Sequence, residues 1–414
     1  MPLIEEEMEV ERWFVQEPFN PSSPQQILAY MQHAGHYVKP NKKSRTKAPS
    51  TDENALEKLA KKDQFYASIL EWRKLAKIEG TYVNGMQALV DKNGRLHPKF
   101  LHNPSTWRLS CVEPNIQNVP DDDDENSLER RFRHCIVAQK GHILVEADAA
   151  GIEAVQTGWW CGDKDYVQLA QLGIHSYLTS HAVKEPADLS WPVEQLAAHL
   201  AYIKKKYKTS MEYNSLKRTV HLTNYGGGAA MMHRVDNTLF PSIAAAQKRQ
   251  DFYLDIFPKL RQWQAEVRQK AAAQNFLGGR EHPYRFKHWF WDVLKVHPSG
   301  DKTPGSDWNR VVAYLPQSTA AGNQFDVVIS LMTPDSPYYV GDMYDGRTPL
   351  RALIHDSILA EVPEDRVDEY VRKVTGAMEQ PIRKQPLPWD PGLHLQIGSD
   401  IKGGPDWGCM EALV

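Results

Sequence analysis

The chain has 414 residues, of which 41% are apolar and 24% charged, a balance that fits a globular protein of two to three domains and excludes a disordered or fibrous one. Lys plus Arg number 49 against 52 Asp plus Glu, a formal net charge of -3, which argues against a protein that coats nucleic acid by bulk charge but leaves local patches open. The cysteines Cys111, Cys135, Cys161 and Cys409 include no C-x-x-C pair, so a zinc ribbon and a disulfide scaffold are excluded and a reducing, cytoplasmic compartment is expected. No stretch approaches about 18 apolar residues, so no membrane span is expected.

In chain order, Met1 to Glu11 is acidic and lacks a signal-peptide pattern. The turn-rich segment from Pro18 to Pro24 leads into a short helix over Ile27 to Met31, and Lys42 to Lys47 reads as a basic loop. Ser50 and Glu53 have capping-box spacing and predict one helix running to Gly80, with Leu56, Leu59, Tyr66, Ile69 and Leu70 on one face. Pro114 to Pro120 reads as extended and Asp121 to Glu125 as an acidic loop. Ile143 to Asp148 predicts a strand ending in an acid, followed by a helix over Ala149 to Trp160. Residues 165–275 are mostly helical in pattern, interrupted at Pro186, Pro192, Gly226 to Gly228 and Pro258. Two apolar runs, Ala352 to Ile354 and Ile358 to Val362, predict a β-hairpin with His355, Asp356 and Ser357 at its tip. The expected class is α+β, with a long helical insertion between strand-bearing segments.

Three sets of residues suggest chemistry. Asp148 and Asp356 stand at a strand end and a hairpin tip, where paired carboxylates can hold Mg²⁺ and leave positions open for phosphates. Tyr213, Lys217, His221 and Tyr225 recur every four residues, which sets them on one slowly drifting helix face suited to a nucleotide, or to packing on a neighbouring helix. Around them, residues 201–235 hold seven basic residues against Glu212 alone. Gly226-Gly227-Gly228 is not a Walker loop, because no G-K-[ST] follows. A third stretch, Thr106 to Ser110 and Glu113 to Pro120, carries Arg108, Asn115 and Gln117, which can donate to phosphates or base edges. His282 and His288 have no metal-site spacing and read as surface histidines.

These motifs occur together as T-W-R-L-S…E-P-N-I-Q-N-V-P (106–120), D-A-A-G-I-E (148–153), K-x7-Y-G (217–226), Q-S-T-A-A (317–321) and H-D-S (355–357). Five motifs in this order resemble the family A DNA polymerases, the bacterial DNA polymerase I group and its phage relatives, from about Phe19 to Trp407. The resemblance implies a right-hand fold with an antiparallel-sheet palm, helical fingers and a helical thumb. It divides the chain into an N-terminal extension (1–18), thumb (19–100), first palm segment (101–165), fingers (166–305) and second palm segment (306–414). It implies template-directed addition of deoxynucleotides to a primer 3′-hydroxyl, with two Mg²⁺ ions (Mn²⁺ able to substitute) on Asp148 and Asp356. Glu153 matches the steric-gate glutamate that disfavours a ribose 2′-hydroxyl. His175, Lys217, His221 and Tyr225 match positions around the triphosphate, while Arg108, Asn115, Gln117, Gln317 and His355 match positions near the primer–template. Implied partners are primer–template DNA and deoxynucleoside triphosphates for a monomer, with room for a separate exonuclease or processivity factor, since too few residues precede the thumb-like start for a proofreading domain. A non-catalytic primer–template binding protein of the same fold is the second reading.

The chain departs from the family pattern at defined places. Ala149-Ala150-Gly151 replaces the usual Y-S-x, and Val155 stands at the position of an Arg. The fingers motif lacks its leading Arg, for which Arg218 or one of Lys204 to Lys208 is a candidate replacement, and His221 stands at the base-stacking aromatic. A second register sets Asn224-Tyr225-Gly226 on the family's N-F-G and makes Tyr225 the stacking residue, with Lys217 and His221 in the Arg and Lys places; the first register is preferred. Ser357 replaces a common Glu, removing a carboxylate beside the metal site.

Overall fold

The computed structural model describes residues 18–36, 49–120 and 127–413. The acidic Met1–Glu11 segment, the basic Lys42–Lys47 segment and the acidic Asp121–Glu125 run lie outside the described residues. The chain forms two compact units, Met1–Leu96 and His97–Val414.

The first unit is helical. Helix α1 (Pro24–His33) starts where the Ser23 side chain accepts a hydrogen bond from the Gln26 amide and Pro24 fills the first helical position. In place of one helix from the Ser50–Glu53 pair to Gly80 there are two, α2 (Glu53–Ala60) and α3 (Gln64–Lys77), the second continuing into a π-helical stretch, Ile78–Asn84. The cap of α2 is Asp52, whose carboxylate accepts from the Ala55 amide at 2.9 Å, and not Ser50. The break follows from Asp63, which caps α3 through the Phe65 amide and also accepts from the Tyr30 hydroxyl at 2.8 Å. A short carboxylate engaged in this way competes with helical continuation of its own backbone. Ile27, Met31, Leu56, Leu59, Tyr66 and Ile69 form the core.

In the second unit, β1 (Lys99–Leu101) pairs with β2 (Ser110–Val112). The segment expected to be extended contains a 3-10 turn at Ile116–Asn118, and α4 (Leu128–Arg133) follows. Strand β3 (His142–Ala149) leads through Gly151, at φ +60°, into α5 (Ile152–Cys161). A left-handed backbone at that turn favours glycine. Helices α6 (Lys164–Leu172), α7 (Ile174–Ala182), α8 (Val193–Tyr207), α9 (Met211–Asn224), α10 (Ala229–Val235), α11 (Ile243–Ile256) and α12 (Pro258–Gln274) then form the helical insertion. Pro258 separates α11 from α12 by occupying the first position of the latter. The insertion has its own core, which includes Tyr166, Leu178, Leu200, Leu216, Tyr253 and Leu260. Gly158 lets α5 approach α6, since a Cβ there would lie 2.6 Å from the Tyr166 ring.

Two small hairpins follow that the residue pattern did not announce, β4 (Phe276–Gly278) with β5 (Lys287–Trp289) and β6 (Leu294–Val296) with β7 (Lys302–Pro304). Between them and the next strands runs α13 (Arg310–Met332). The predicted hairpin is β8 (Leu350–Ile354) and β9 (Ser357–Pro363), with only His355 and Asp356 in the turn; Ser357 is buried at the start of β9. Helix α14 (Val367–Glu379), the pair β10 (Pro386–Leu387) and β11 (Asp390–His394), then β12 (Ser399–Gly404) and β13 (Glu411–Ala412) complete the unit. The main sheet is antiparallel in the order β13-β12-β3-β9-β8. One face, with Val145, Ala147, Ile358, Ala360 and Ile401, packs on Val374 and Ala377 of α14 and on Leu331 of α13. Strand alternation therefore turns Leu144, Glu146 and Asp148 to the other face.

Candidate active site

The register brings the two predicted aspartates together. Asp148 pairs with Ser357 across β3 and β9, and the Ala149 amide donates to the Asp356 carbonyl at 3.3 Å, so the hairpin turn is tied to the end of β3. His355, exposed and at φ +54°, makes the turn that presents Asp356. Asp400 of β12 stands opposite Asp148 on the other side of β3. Partial burial, then the charges of Asp356, Glu146 and Asp400, push the Asp148 carboxyl up to about 7, against the opposing pull of Lys402. Burial also raises Asp356, with Glu153 adding to the rise and Arg108 opposing it. A largely apolar cavity of about 300 Å³, whose walls include Ile152, Ile358, Met378 and Ile397, adjoins Asp356.

Arg108 is the cation of this cluster. Its Nη2 lies 2.8 and 2.9 Å from the two Asp356 carboxylate oxygens and 2.5 Å from Oε1 of Glu153, in the first turn of α5. Burial works against its charge, but the two carboxylates more than offset that and hold its pKa above the ordinary value. The neighbouring Trp107, at φ +63°, stacks on Phe286 at 4.5 Å and fixes the loop. Of the other predicted contacts, Asn115 is exposed at the head of its 3-10 turn, and Gln317 is half-buried in α13. Gln117 donates its amide to the Leu353 carbonyl at 3.0 Å, which commits that N–H to holding β8.

A second cluster lies on α9. Lys217, Arg218 and His221 are exposed and line a groove of about 490 Å³ with Asn214, Asp236, Thr238 and Leu239. His175, in the first turn of α7, is near enough that burial, Lys217, His221 and Lys204 together push its pKa down to about 4. The four-residue stripe is not a single open face: Tyr213 is buried with its ring 6.3 Å from that of His175, and Tyr225 lies just past the last turn, edge-on to His221. Successive steps of four residues rotate by about 40° and carry the stripe from core to solvent. Asn224, beside Tyr225, is buried and bonded to the Tyr166 and Tyr253 hydroxyls. Within the basic run, Lys206 is engaged by Glu185 and Tyr202.

His282 is not a surface residue. It is 2% exposed, with Nε2 2.9 Å from Ser318 Oγ and 3.2 Å from Thr319 Oγ1, and burial lowers its pKa to about 4. It braces β4–β5 against α13. Among the described residues there is no group of three or more His, Cys, Asp or Glu arranged to hold a metal, and no helix is long and apolar enough to cross a membrane. What fits a divalent cation is the pair of oxygen-only donors, Asp148 and Asp356, whose mutual repulsion a cation would relieve.

Paired aspartates thus meet where β3 ends and the β8–β9 hairpin turns, with a glutamate at the head of the following helix, and a separate basic face lies on α9. The profile of DNA polymerase family A matches residues 3–408, and the chain belongs to that family. It is 27% identical over 398 residues to the thermostable DNA polymerase I of Thermus aquaticus, covering 94% of this chain and 42% of that protein. It is 25% identical over 399 residues to DNA polymerase I of Deinococcus radiodurans, covering 94% and 36%. Over a shorter stretch of 138 residues, 33% of this chain and 13% of the relative, it is 38% identical to DNA polymerase I of Treponema pallidum. The chain thus spans about two fifths of the length of the full-length relatives it matches. The fold is that of the POL domain of Pol1 from M. smegmatis, a structure in complex with DNA primer-template and dNTP, with a TM-score of 0.72 at 21% identity over 97% of this chain and 63% of that one.

Proposed function

We propose that this chain is a DNA-directed DNA polymerase that extends a primer 3′-hydroxyl by nucleotidyl transfer from a deoxynucleoside triphosphate. The observation that carries the reading is the juxtaposition of Asp148 and Asp356 at the joined ends of β3 and the β8–β9 turn. These two side chains would hold divalent ions, Mg²⁺ by preference, which when bound supply charge stabilisation to the attacking and leaving oxygens. The remaining work falls to the chain's own groups. Arg108 keeps Glu153 and Asp356 oriented in the free protein and is well placed to contact the primer–template, with Asn115, Gln317 and His355 as further contacts. Glu153, held by Arg108, serves as the gate against a ribose 2′-hydroxyl. Lys217, Arg218 and His221 receive the triphosphate, with Arg218 supplying the guanidinium missing from the motif. His175, uncharged at neutral pH, offers a hydrogen bond there in place of a charge. Tyr225 adjoins this subsite through His221.

In this reading residues 19–100 are the thumb, 101–165 and 306–414 the palm, and 166–305 the fingers. Extension of a labelled primer on a DNA template with Mg²⁺ tests it, comparing deoxy- and ribonucleotides and the variants Asp148→Ala and Asp356→Ala. Deoxynucleotide extension that both variants abolish is expected. No extension by the wild type points to a primer–template binding protein, and extension surviving either substitution refutes the metal assignment.

A further inference from the structure

Glu146 interrupts the apolar run of β3 and lies on the same face as Asp148, two residues away. Both of its carboxylate oxygens are engaged. Ser357 Oγ donates to Oε1 at 2.8 Å, its proton shared with the Ile354 carbonyl at 3.0 Å, and the Trp407 indole Nε1 donates to Oε2 at 3.0 Å. Both donors are buried, at 3% and 1% exposure, so neither bond is readily replaced by water. Ser357 directly follows Asp356 and pairs with Asp148. Trp407 follows β12, which carries Asp400 opposite Asp148 and Lys402 opposite Glu146. Trp407 is itself fixed: its amide donates to the Ile136 carbonyl at 2.9 Å, and the Arg133 guanidinium lies 4.3 Å over its ring. Arg133 in turn donates to the Pro120 and Val119 carbonyls.

We propose that Glu146 is a positioning residue for the metal-binding aspartates, clasping the Asp356 turn and the Trp407 segment to β3 and so setting how Asp148 and Asp356 face each other. The inference rests on the reading that these aspartates hold divalent ions. It also accounts for Ser357. The carboxylate missing from position 357 is contributed by the adjoining strand, and the serine hydroxyl is the donor that receives it. A glutamine at 146 is isosteric but neutral: with its amide oxygen on the Trp407 indole, its NH₂ donates to Ser357 Oγ, whose proton turns to the Ile354 carbonyl, so both charge-assisted bonds of the clasp become weaker neutral ones.

The test is Mn²⁺ binding to the full chain, followed by electron paramagnetic resonance, alongside primer–template affinity and thermal melting, for wild type, Glu146→Gln, Ser357→Ala and Asp148→Ala. Loss of an outer partner of a metal site costs about 10- to 100-fold in metal affinity. Folded Glu146→Gln is expected to bind Mn²⁺ about tenfold more weakly while primer–template affinity stays within about twofold. Should that variant fail to fold, Ser357→Ala removes one donor without touching the charge, and a weakening of about threefold is expected. Unchanged Mn²⁺ affinity in the folded variants, even with a lowered melting temperature, reduces Glu146 to a structural brace and overturns the proposal. Asp148→Ala separates the two failures: if it too leaves Mn²⁺ binding intact, the metal reading itself is wrong.

Discussion

Replacing Arg108 by Met, of similar length and without charge, leaves Asp356 and Glu153 facing each other with no cation between them. Removing one partner of a fully buried ion pair costs about 3–5 kcal/mol. The three side chains retain about one fifth of their exposure (20%, 20% and 22%), so solvent screening lowers the expected cost to about 2–3 kcal/mol. With unfolding entropy near 2.1 cal/mol/K per residue, 1 kcal/mol is about 1.5 °C in a cooperative unit of roughly 300 residues, giving a fall of about 3–5 °C. Calorimetry on Arg108→Met, Glu153→Gln and the double variant isolates the pair. Neutralising Glu153 removes one of the two stranded charges, so the double variant should be less destabilised than the sum of the singles by about 1 kcal/mol or more. Additivity within about 0.3 kcal/mol would refute the claim that Arg108 stabilises the free site by neutralising both acids.

Asp148→Asn should stabilise the protein in EDTA at pH 8 and do nothing at pH 3.5. The folded pKa, about 7, lies above the unfolded value of 3.8, so the wild type loses stability as pH rises between them. The full shift corresponds to about 4 kcal/mol, which the exposure of Asp148 reduces to about 1–2 kcal/mol; melting at the two pH values decides it. Asn224→Leu leaves the Tyr166 and Tyr253 hydroxyls without their amide partner and should cost about 1–3 kcal/mol by denaturant titration. Tyr225→Phe should leave dideoxynucleotide termination unchanged if Tyr225 is not the base-stacking residue; a loss of easy termination on sequencing-type gels would instead support the register that sets Asn224-Tyr225-Gly226 on N-F-G.

The strand holding Asp148 and the hairpin holding Asp356 were legible because short apolar runs ending in polar residues have few alternatives. The helical insertion was legible through its periodicity and its proline and glycine breaks. What escaped has physical causes. Strand β12 carries Gly403 and Gly404, which depress strand propensity, yet it completes the sheet beside Asp148. The division between α2 and α3 depends on Tyr30 reaching Asp63 from 33 residues away. His282 reads as a polar loop residue until α13 supplies Ser318 and Thr319 beside it. Glu146 left one visible sign, an acid in the middle of a strand otherwise buried on that stretch, but its donors lie more than two hundred residues further along.

The sheet order has a consequence for how the protein is made. The central strand, β3, is complete at residue 149, but its two neighbours begin at 357 and 399. During synthesis at about 5–20 residues per second, β3 waits on the order of ten seconds or more with both edges unpaired, while the intervening helices can already pack on one another. An open strand that waits is a template for wrong partners. The acids on its outer face, Glu146 and Asp148, keep that face charged throughout the interval, so the same side chains that later meet at the site also guard the nascent chain against aggregation.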